Sequence, residues 1–134
     1  MNVEGRCHCG AITFKATIDP DRATLCHCTD CHFTSGSGFS FGVPVVNGAF
    51  EITTGTPAVY IKKTADSGSH RAHGFCPICG TRLYASSVDK DPAQMSVRVG
   101  TLKQQRDIAP KRQLWCASAF DWAVIPGVNR LEKQ

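Results

Sequence analysis

Seven of the eight cysteines lie in three short clusters, a spacing typical of metal ligands. The clusters are Cys7 with Cys9, Cys26 with Cys28 and Cys31, and Cys76 with Cys79. A closed zinc site takes four ligands at about 2.3 Å from the ion, and a tight turn can bring two sulfur atoms to one point. The two outer pairs therefore predict one structural zinc site, provided that the chain folds back to place Cys9 next to Cys76.

The middle cluster has three cysteines and so lacks one ligand of a closed site. A zinc ion with three protein ligands can keep its fourth position for water or for a substrate, as catalytic zinc does. Three thiolates leave the site with a net charge of about −1, which weakens the acidification of bound water but still allows a fourth thiol to bind as a thiolate. We therefore expect Cys26, Cys28 and Cys31 to hold a catalytic zinc that prepares sulfur chemistry.

Other residues near these clusters leave alternatives open. His27, Asp30 or His32 could supply the fourth ligand and make the middle cluster a second structural site. Cys116 stands alone in the sequence and is predicted to be a small buried hydrophobic residue rather than a ligand.

Length and composition describe an ordinary globular chain. Its 134 residues, 42% hydrophobic and 19% charged, suit one domain over residues 1–134. No apolar run approaches the roughly 20 residues of a membrane span, and no apolar signal core precedes Cys7. We therefore expect a cytoplasmic protein, where reducing conditions favour zinc over disulfides. Because the basic residues are scattered and the net charge is only +4, neither a nucleic-acid nor a membrane partner is predicted.

The hydrophobic pattern predicts a mostly β fold. After Cys9 the chain alternates between apolar residues (Ile12, Phe14, Ala16, Ile18) and polar ones (Thr13, Lys15, Thr17), as in a half-buried strand. Further strands are predicted at 39–46, 50–54, 58–62, 71–75, 82–85 and 95–99, separated by turn residues such as those at 47–48 and 55–57. This spacing is typical of an antiparallel β sandwich. Trp115 and Trp122 are expected in the core, and His73 is expected to be at the surface or fully hydrogen bonded.

Three motifs in a fixed order resemble those of the glutathione-dependent formaldehyde-activating enzymes, also called the GFA or CENP-V domain family. They are Cys7-His-Cys-Gly before a strand, Cys26-His-Cys-Thr-Asp-Cys followed by Ser35-Gly36, and Phe75-Cys-Pro-Ile-Cys-Gly-Thr81. The resemblance implies an Mss4-like, mostly antiparallel β fold, two zinc ions and carbon–sulfur lyase activity. It also implies that the outer pairs bind the structural zinc and the middle cluster the catalytic one. The chain differs from the family pattern at Gln113, where histidine is common, and at His73, where arginine is common.

Two functions follow as hypotheses. The first is a zinc-dependent carbon–sulfur lyase that forms or cleaves a thiol–carbonyl adduct such as S-hydroxymethylglutathione, with glutathione or a related small thiol as its substrate. The second is a non-catalytic, zinc-stabilised Mss4-like binding module. The three-cysteine cluster favours the first, because it provides an open ligand position.

Overall fold

The computed structural model describes residues 1–134, which form ten strands and one short helix. The strands are β1 (Asn2–Arg6), β2 (Thr13–Ile18), β3 (Thr24–Cys26), β4 (Ser40–Thr54), β5 (Ala58–Lys62), β6 (Arg71–Phe75), β7 (Arg82–Ser87), β8 (Met95–Arg98), β9 (Arg112–Leu114) and β10 (Asn129–Arg130). The helix α1 covers Thr29–Ser35. Short 3-10 turns connect several of the elements. No helix has both the length and the apolar character that crossing a membrane requires.

The strands form a mostly antiparallel sheet that divides at β4 into two arms. The larger arm has the order β10-β9-β3-β4-β8-β7-β6-β5, and the smaller arm adds β2 and then β1 to the other half of β4. Only β9 departs from the antiparallel pattern, since it pairs in parallel with β3 and with β10. The predicted fold class is confirmed, with these parallel pairs as an addition.

The core lies between the two arms. Ile12, Phe14, Ala16 and Ile18 are all at most 6% exposed, which confirms the alternation predicted for β2. Phe14 packs against Phe50, and Phe50 against Tyr84, with ring centres 5.4 and 5.1 Å apart. Burial of these apolar side chains supplies the main driving force for folding.

The largest difference from the predicted strands is at β4. The sequence predicts a turn at Asn47 and Gly48 between two strands, but the structure has one strand of 15 residues that bends there. Both residues have positive φ, 48° and 71°, and the register with β2 shifts at this point. The turn residues therefore make a bulge, which redirects the strand from one arm to the other. Four strands were not predicted, namely β1, β3, β9 and β10. The last three have only two or three residues, and β1 has a single apolar side chain, Val3, so none shows a clear periodicity.

The C-terminal segment runs along the β3 end of the larger arm. The expectation that both tryptophans are core residues is wrong for Trp122, whose side chain is 74% exposed, while Trp115 is half-buried. A short apolar run does not by itself show which side chains are covered, because that depends on how the segment meets the sheet. Cys116 is 4% exposed, as predicted, and its Sγ lies 3.7 Å from the carbonyl oxygen of Gln113.

Candidate metal and thiol site

The four outer cysteines come together although the two pairs are far apart in sequence. Their sulfur atoms all lie within 4.8 Å of one another, with Cys7 to Cys9 at 3.6 Å and Cys9 to Cys76 at 3.8 Å. Two sulfurs of a tetrahedral zinc site are about 3.8 Å apart when each bond is about 2.3 Å. The donor set and its spacing therefore fit a zinc ion at Cys7, Cys9, Cys76 and Cys79, a set named the tetrad below.

Two similar turns deliver the tetrad. In each turn a glycine follows the second cysteine, and Gly10 and Gly80 have φ values of 81° and 78°. The amide of Gly80 donates to the carbonyl oxygen of Cys76 at 2.8 Å, and the amide of Ile12 donates to Cys7 Sγ at 3.2 Å. A left-handed conformation is readily available only to glycine, so these turns need it. Amide donors to sulfur offset the negative charge of thiolate ligands.

The tetrad joins the two arms of the fold. Cys7 and Cys76 are fully buried and belong to the hydrophobic core. The amide of His8 also donates to Thr81 Oγ1 at 3.0 Å, which ties the first turn to the second. A hydrogen bond with Thr81 Oγ1 lowers the pKa of Cys79 to about 5, which favours its thiolate.

The middle cysteines form a second group, named the trio below. The sulfur atoms of Cys26, Cys28 and Cys31 lie within 4.8 Å of one another. Cys26 is the last residue of β3, and Cys28 is the N-cap of α1, where its Sγ accepts from the amide of Cys31 at 3.3 Å. The trio therefore stands at the edge where a strand passes into a helix. Three sulfurs at this spacing fit three ligands of a zinc ion.

None of the three neighbouring residues completes the trio. No histidine nitrogen or carboxylate oxygen lies within 4.8 Å of all three sulfur atoms. Asp30 pairs instead with Lys62 at 3.2 Å, and the ring of His32 stacks on Phe120 with centres 4.3 Å apart. His27 is fully buried, and its Nε2 donates to Gln113 Oε1 at 3.1 Å. The trio therefore offers three possible ligand atoms, with no fourth from these neighbours.

Two residues that were not singled out in the sequence face the trio. Ser40 lies opposite Cys26 in the sheet, and its hydroxyl donates to Cys31 Sγ at 3.1 Å. Hydrogen bonds from Cys26 and Cys28 lower the pKa of Cys31, and Ser40 and Arg98 lower it further. Burial lowers the pKa of Arg98, whereas the nearby thiols of the trio act in the opposite direction. A lone serine or arginine in a strand gives no sequence signal, because only the pairing of β3, β4 and β8 places these residues together.

The two positions that depart from the family pattern have clear surroundings. Gln113 is fully buried. Its Nε2 donates to the carbonyl oxygen of Ile125, and its Oε1 accepts from the amide of Ile125, both at 2.9 Å. It holds the C-terminal segment against the buried His27. His73, expected at the surface or hydrogen bonded, is instead 5% exposed with no partner for Nδ1. Burial, and then repulsion by Arg98 and other cations, lowers its pKa to about 4.

A broad depression on the surface lies away from the trio. It has a volume of about 680 Å³ and is lined by the polar faces of β1 and β2 and by residues near Cys7. A smaller one of about 490 Å³ lies at the end of α1, between Phe33, Phe120 and Trp122. Neither depression is lined by a cysteine of the trio.

Comparison with known proteins agrees with this architecture. The family described as glutathione-dependent formaldehyde-activating enzyme matches residues 2–118. An uncharacterized lyase of Schizosaccharomyces pombe is 34% identical over 84 residues, which cover 60% of this chain and 55% of the relative. The match thus spans about half the length of that relative.

A crystal structure of a Rhodobacter sphaeroides protein has a TM-score of 0.59 at 17% identity and covers 96% of this chain and 99% of its own. At this identity the likeness shows a shared fold. The family match covers most of the chain and includes both cysteine groups. The chain therefore belongs to the glutathione-dependent formaldehyde-activating enzyme family.

Proposed function

We propose that this protein is a carbon–sulfur lyase that forms or cleaves a thiol–carbonyl adduct, such as S-hydroxymethylglutathione, at a zinc site made by Cys26, Cys28 and Cys31. Cys7, Cys9, Cys76 and Cys79 hold a second, structural zinc. The observation that carries this proposal is the trio itself, in which three sulfurs converge and no fourth protein ligand joins them. A zinc ion there supplies positive charge that keeps a bound thiol deprotonated.

The reaction needs one new bond and one proton transfer. In the forming direction the sulfur lone pair attacks the aldehyde carbon, the carbonyl π bond breaks, and the oxygen takes the proton that the thiol gave up. Cleavage is the reverse. The trio binds and orients the thiol, so that proximity to the aldehyde supplies much of the rate. Ser40 fixes the position of Cys31 Sγ, and the half-buried Arg98 favours negative charge at the site.

The membership of the family and the lyase name of a relative support this class of reaction. They do not identify the substrate thiol, so a panel of small thiols should be tested. Glutathione and other small thiols react spontaneously with formaldehyde. Enzyme activity must therefore be detected as faster exchange between free and thiol-bound formaldehyde at equilibrium.

The test is exchange spectroscopy by NMR with ¹³C-formaldehyde and each thiol. We expect zinc-loaded protein to accelerate exchange between free and thiol-bound formaldehyde for at least one thiol. Cys28→Ser should abolish this acceleration, whereas Cys116→Ser, which removes a buried thiol outside both groups, should retain it. If the wild type and Cys28→Ser exchange every adduct at the same rate, the proposal is wrong.

A binding module remains the second candidate, because large apolar side chains are exposed near the trio. Phe33 is 85% exposed and Trp122 74%, on either side of the depression at the end of α1. Exposed aromatic residues in one place are typical of contact surfaces. Cobalt substitution separates the candidates. A thiol-dependent change in the visible spectrum of the trio favours the lyase, and indifference to every thiol favours the module.

A further inference from the structure

We propose that Arg98, Arg82 and His73 form an anion subsite next to the trio, and that the substrate thiol carries a carboxylate that binds there. This inference rests on the proposed function of the trio and names the class of substrate for it. The sequence gives no sign of the subsite, because its three residues come from three different strands.

The register of the sheet places Arg98 on the same face as the trio. Cys26 lies opposite Ser40, and Gly42, two residues further along β4, lies opposite Arg98. Alternate residues of a strand point to the same face, so Cys26, Ser40 and Arg98 share one face. A Cβ at Gly42 would lie 3.6 Å from Nη1 of Arg98, so the guanidinium reaches over β4, the strand between β8 and β3.

The same face continues to His73. Ser96, two residues before Arg98, lies opposite Ala85, and Ala85 lies opposite His73. His73 therefore stands on the face of Arg98, two strands away. Repulsion by Arg98 is the largest charge effect on His73, which agrees with this placement.

Arg82 joins the group from β7. Its guanidinium carbon lies 6.0 Å from the ring centre of Tyr60 and 5.8 Å from that of Phe75. Tyr60 pairs with His73, and Phe75 is two residues from it, so both rings are on the same face. Packing against two aromatic rings orients the guanidinium without using its hydrogen-bond donors.

Polar atoms at this place lack partners within the protein. Nδ1 of His73 and Nη1 of Arg82 are buried and make no hydrogen bond. The guanidinium of Arg98 makes neither a hydrogen bond nor an ion pair with a carboxylate. Buried polar groups are almost always satisfied, and unsatisfied ones call for a ligand or an ordered solvent molecule. Guanidinium donors match the two oxygens of a carboxylate.

The excess of positive charge around His73 also favours binding of an anion besides the thiolates of the trio. Lys62, Arg71, Arg82 and Arg98 act together on His73, and only Lys62 has a carboxylate partner, Asp30. A zinc ion with three thiolates carries about one negative charge, which one arginine can balance. A further singly charged group is therefore favoured. A carboxylate suits this better than a dianionic phosphate, which the negative trio would repel more strongly.

The first test compares two thiols of the same size. We would titrate 3-mercaptopropionate and its neutral amide, 3-mercaptopropionamide, into zinc-loaded protein by calorimetry. The expected result is binding of the acid at least tenfold tighter than the amide in the wild type. In Arg98→Gln and Arg82→Gln the two thiols should bind within about twofold of each other. Arg106→Gln, which removes the same charge from an exposed position, should keep the preference.

The second test uses anions without a thiol and so does not depend on the lyase. Propionate should shift the ring NMR signals of His73 saturably in the wild type, and not in Arg98→Gln. Propionate binding with no binding of either thiol would contradict the proposed lyase but support the subsite. Equal binding of the two thiols, together with no shift of the His73 ring signals on addition of propionate, would overturn the subsite. Inorganic phosphate binding more than tenfold tighter than propionate would overturn the assignment to a carboxylate.

Discussion

At the residue scale, Cys28 and Cys76 have the same side chain but different surroundings. Cys76 is fully buried in the core and joins two arms through the tetrad, while Cys28 is half-buried at the start of α1. Metal binding at a structural site is part of the folding free energy. The two cysteines should therefore differ in what their loss does to stability.

We expect Cys76→Ser to lower the free energy of unfolding by more than about 3 kcal/mol, because structural zinc sites contribute about 10 kcal/mol or more. Cys28→Ser should cost less than about 1.5 kcal/mol, because serine is itself a favoured N-cap residue and keeps the cap of α1. Zinc analysis should show one ion lost in Cys28→Ser, and urea unfolding gives the stabilities. Equal destabilisation by the two changes would contradict the division into a structural and an open site.

The burial of His73 among cations predicts that the stability of the protein depends on pH. Its pKa is about 4 in the folded protein, against about 6.5 in an unfolded chain. The unfolded state therefore binds the proton first as the pH falls, and stability is lost from about pH 6.5 down to pH 4. The neighbouring cations are Arg98, Arg82, Lys62 and Arg71.

Between pH 7 and pH 5 this one group should lower the free energy of unfolding by about 2 kcal/mol. His73→Gln should remove that part of the pH dependence. The measurement is urea unfolding of both proteins at each pH, since zinc effects common to both cancel in the difference. His70→Gln, at an exposed position, is the control and should leave the pH dependence unchanged. Parallel curves for the wild type and His73→Gln would show that His73 is not buried in its neutral form.

At the element scale, β9 and the C-terminal segment are held together by one side chain. Gln113 lies in a strand that pairs in parallel with β3, the strand that ends at Cys26. Its side-chain amide makes hydrogen bonds with the backbone of Ile125 and Val128 and with the ring of His27. The segment therefore depends on polar contacts as well as on apolar burial.

We expect Gln113→Leu to lower the free energy of unfolding by about 2 to 4 kcal/mol, since several buried groups lose their partners at once. Hydrogen exchange at the amide of Ile125 should rise in the variant, and the zinc of the tetrad should be retained. Gln105→Leu, at an exposed position, should change stability by less than about 0.5 kcal/mol. Unchanged exchange at Ile125 would show that Gln113 does not hold the segment.

At the scale of the whole molecule, the two metal groups stand in different relations to the sheet. The tetrad ties the β1–β2 turn to the β6–β7 turn, so we expect its loss to weaken the packing of the two arms against each other. The trio belongs to the larger arm alone, at the end of β3, where that strand leads into α1. We therefore expect loss of metal from the trio to leave the pairing of the other strands intact.

A chelator should therefore remove two zinc ions in two phases. We expect the first equivalent to leave with the far-UV circular dichroism unchanged, and the second to leave only together with the β signal. The measurement is metal release by a colorimetric chelator, recorded in parallel with the dichroism. In Cys28→Ser the first phase should be missing. Release of both ions in one phase while the β signal persists would contradict the structural role of the tetrad.

Much of the fold and of the cysteine clusters can be predicted from the sequence, because the signals are local. Cysteine pairs closed by Gly10 and Gly80 specify their own turns, and the alternation after Cys9 specifies a strand with one buried face. The bend at Asn47 is different, because the same residues suit a turn or a bulge. Only the pairing of β4 with both β2 and β8 decides between them.

The sequence by itself determined the cysteine clusters that could bind metal and the mostly β class, because each depends on residues close together in the chain. Tertiary structure alone decided that Ser40 and Arg98 face the trio and that His73 and Arg82 lie on the same face with unpartnered atoms. These residues are brought together by the register of distant strands. Register depends on the packing of the whole sheet, which no short stretch of sequence encodes.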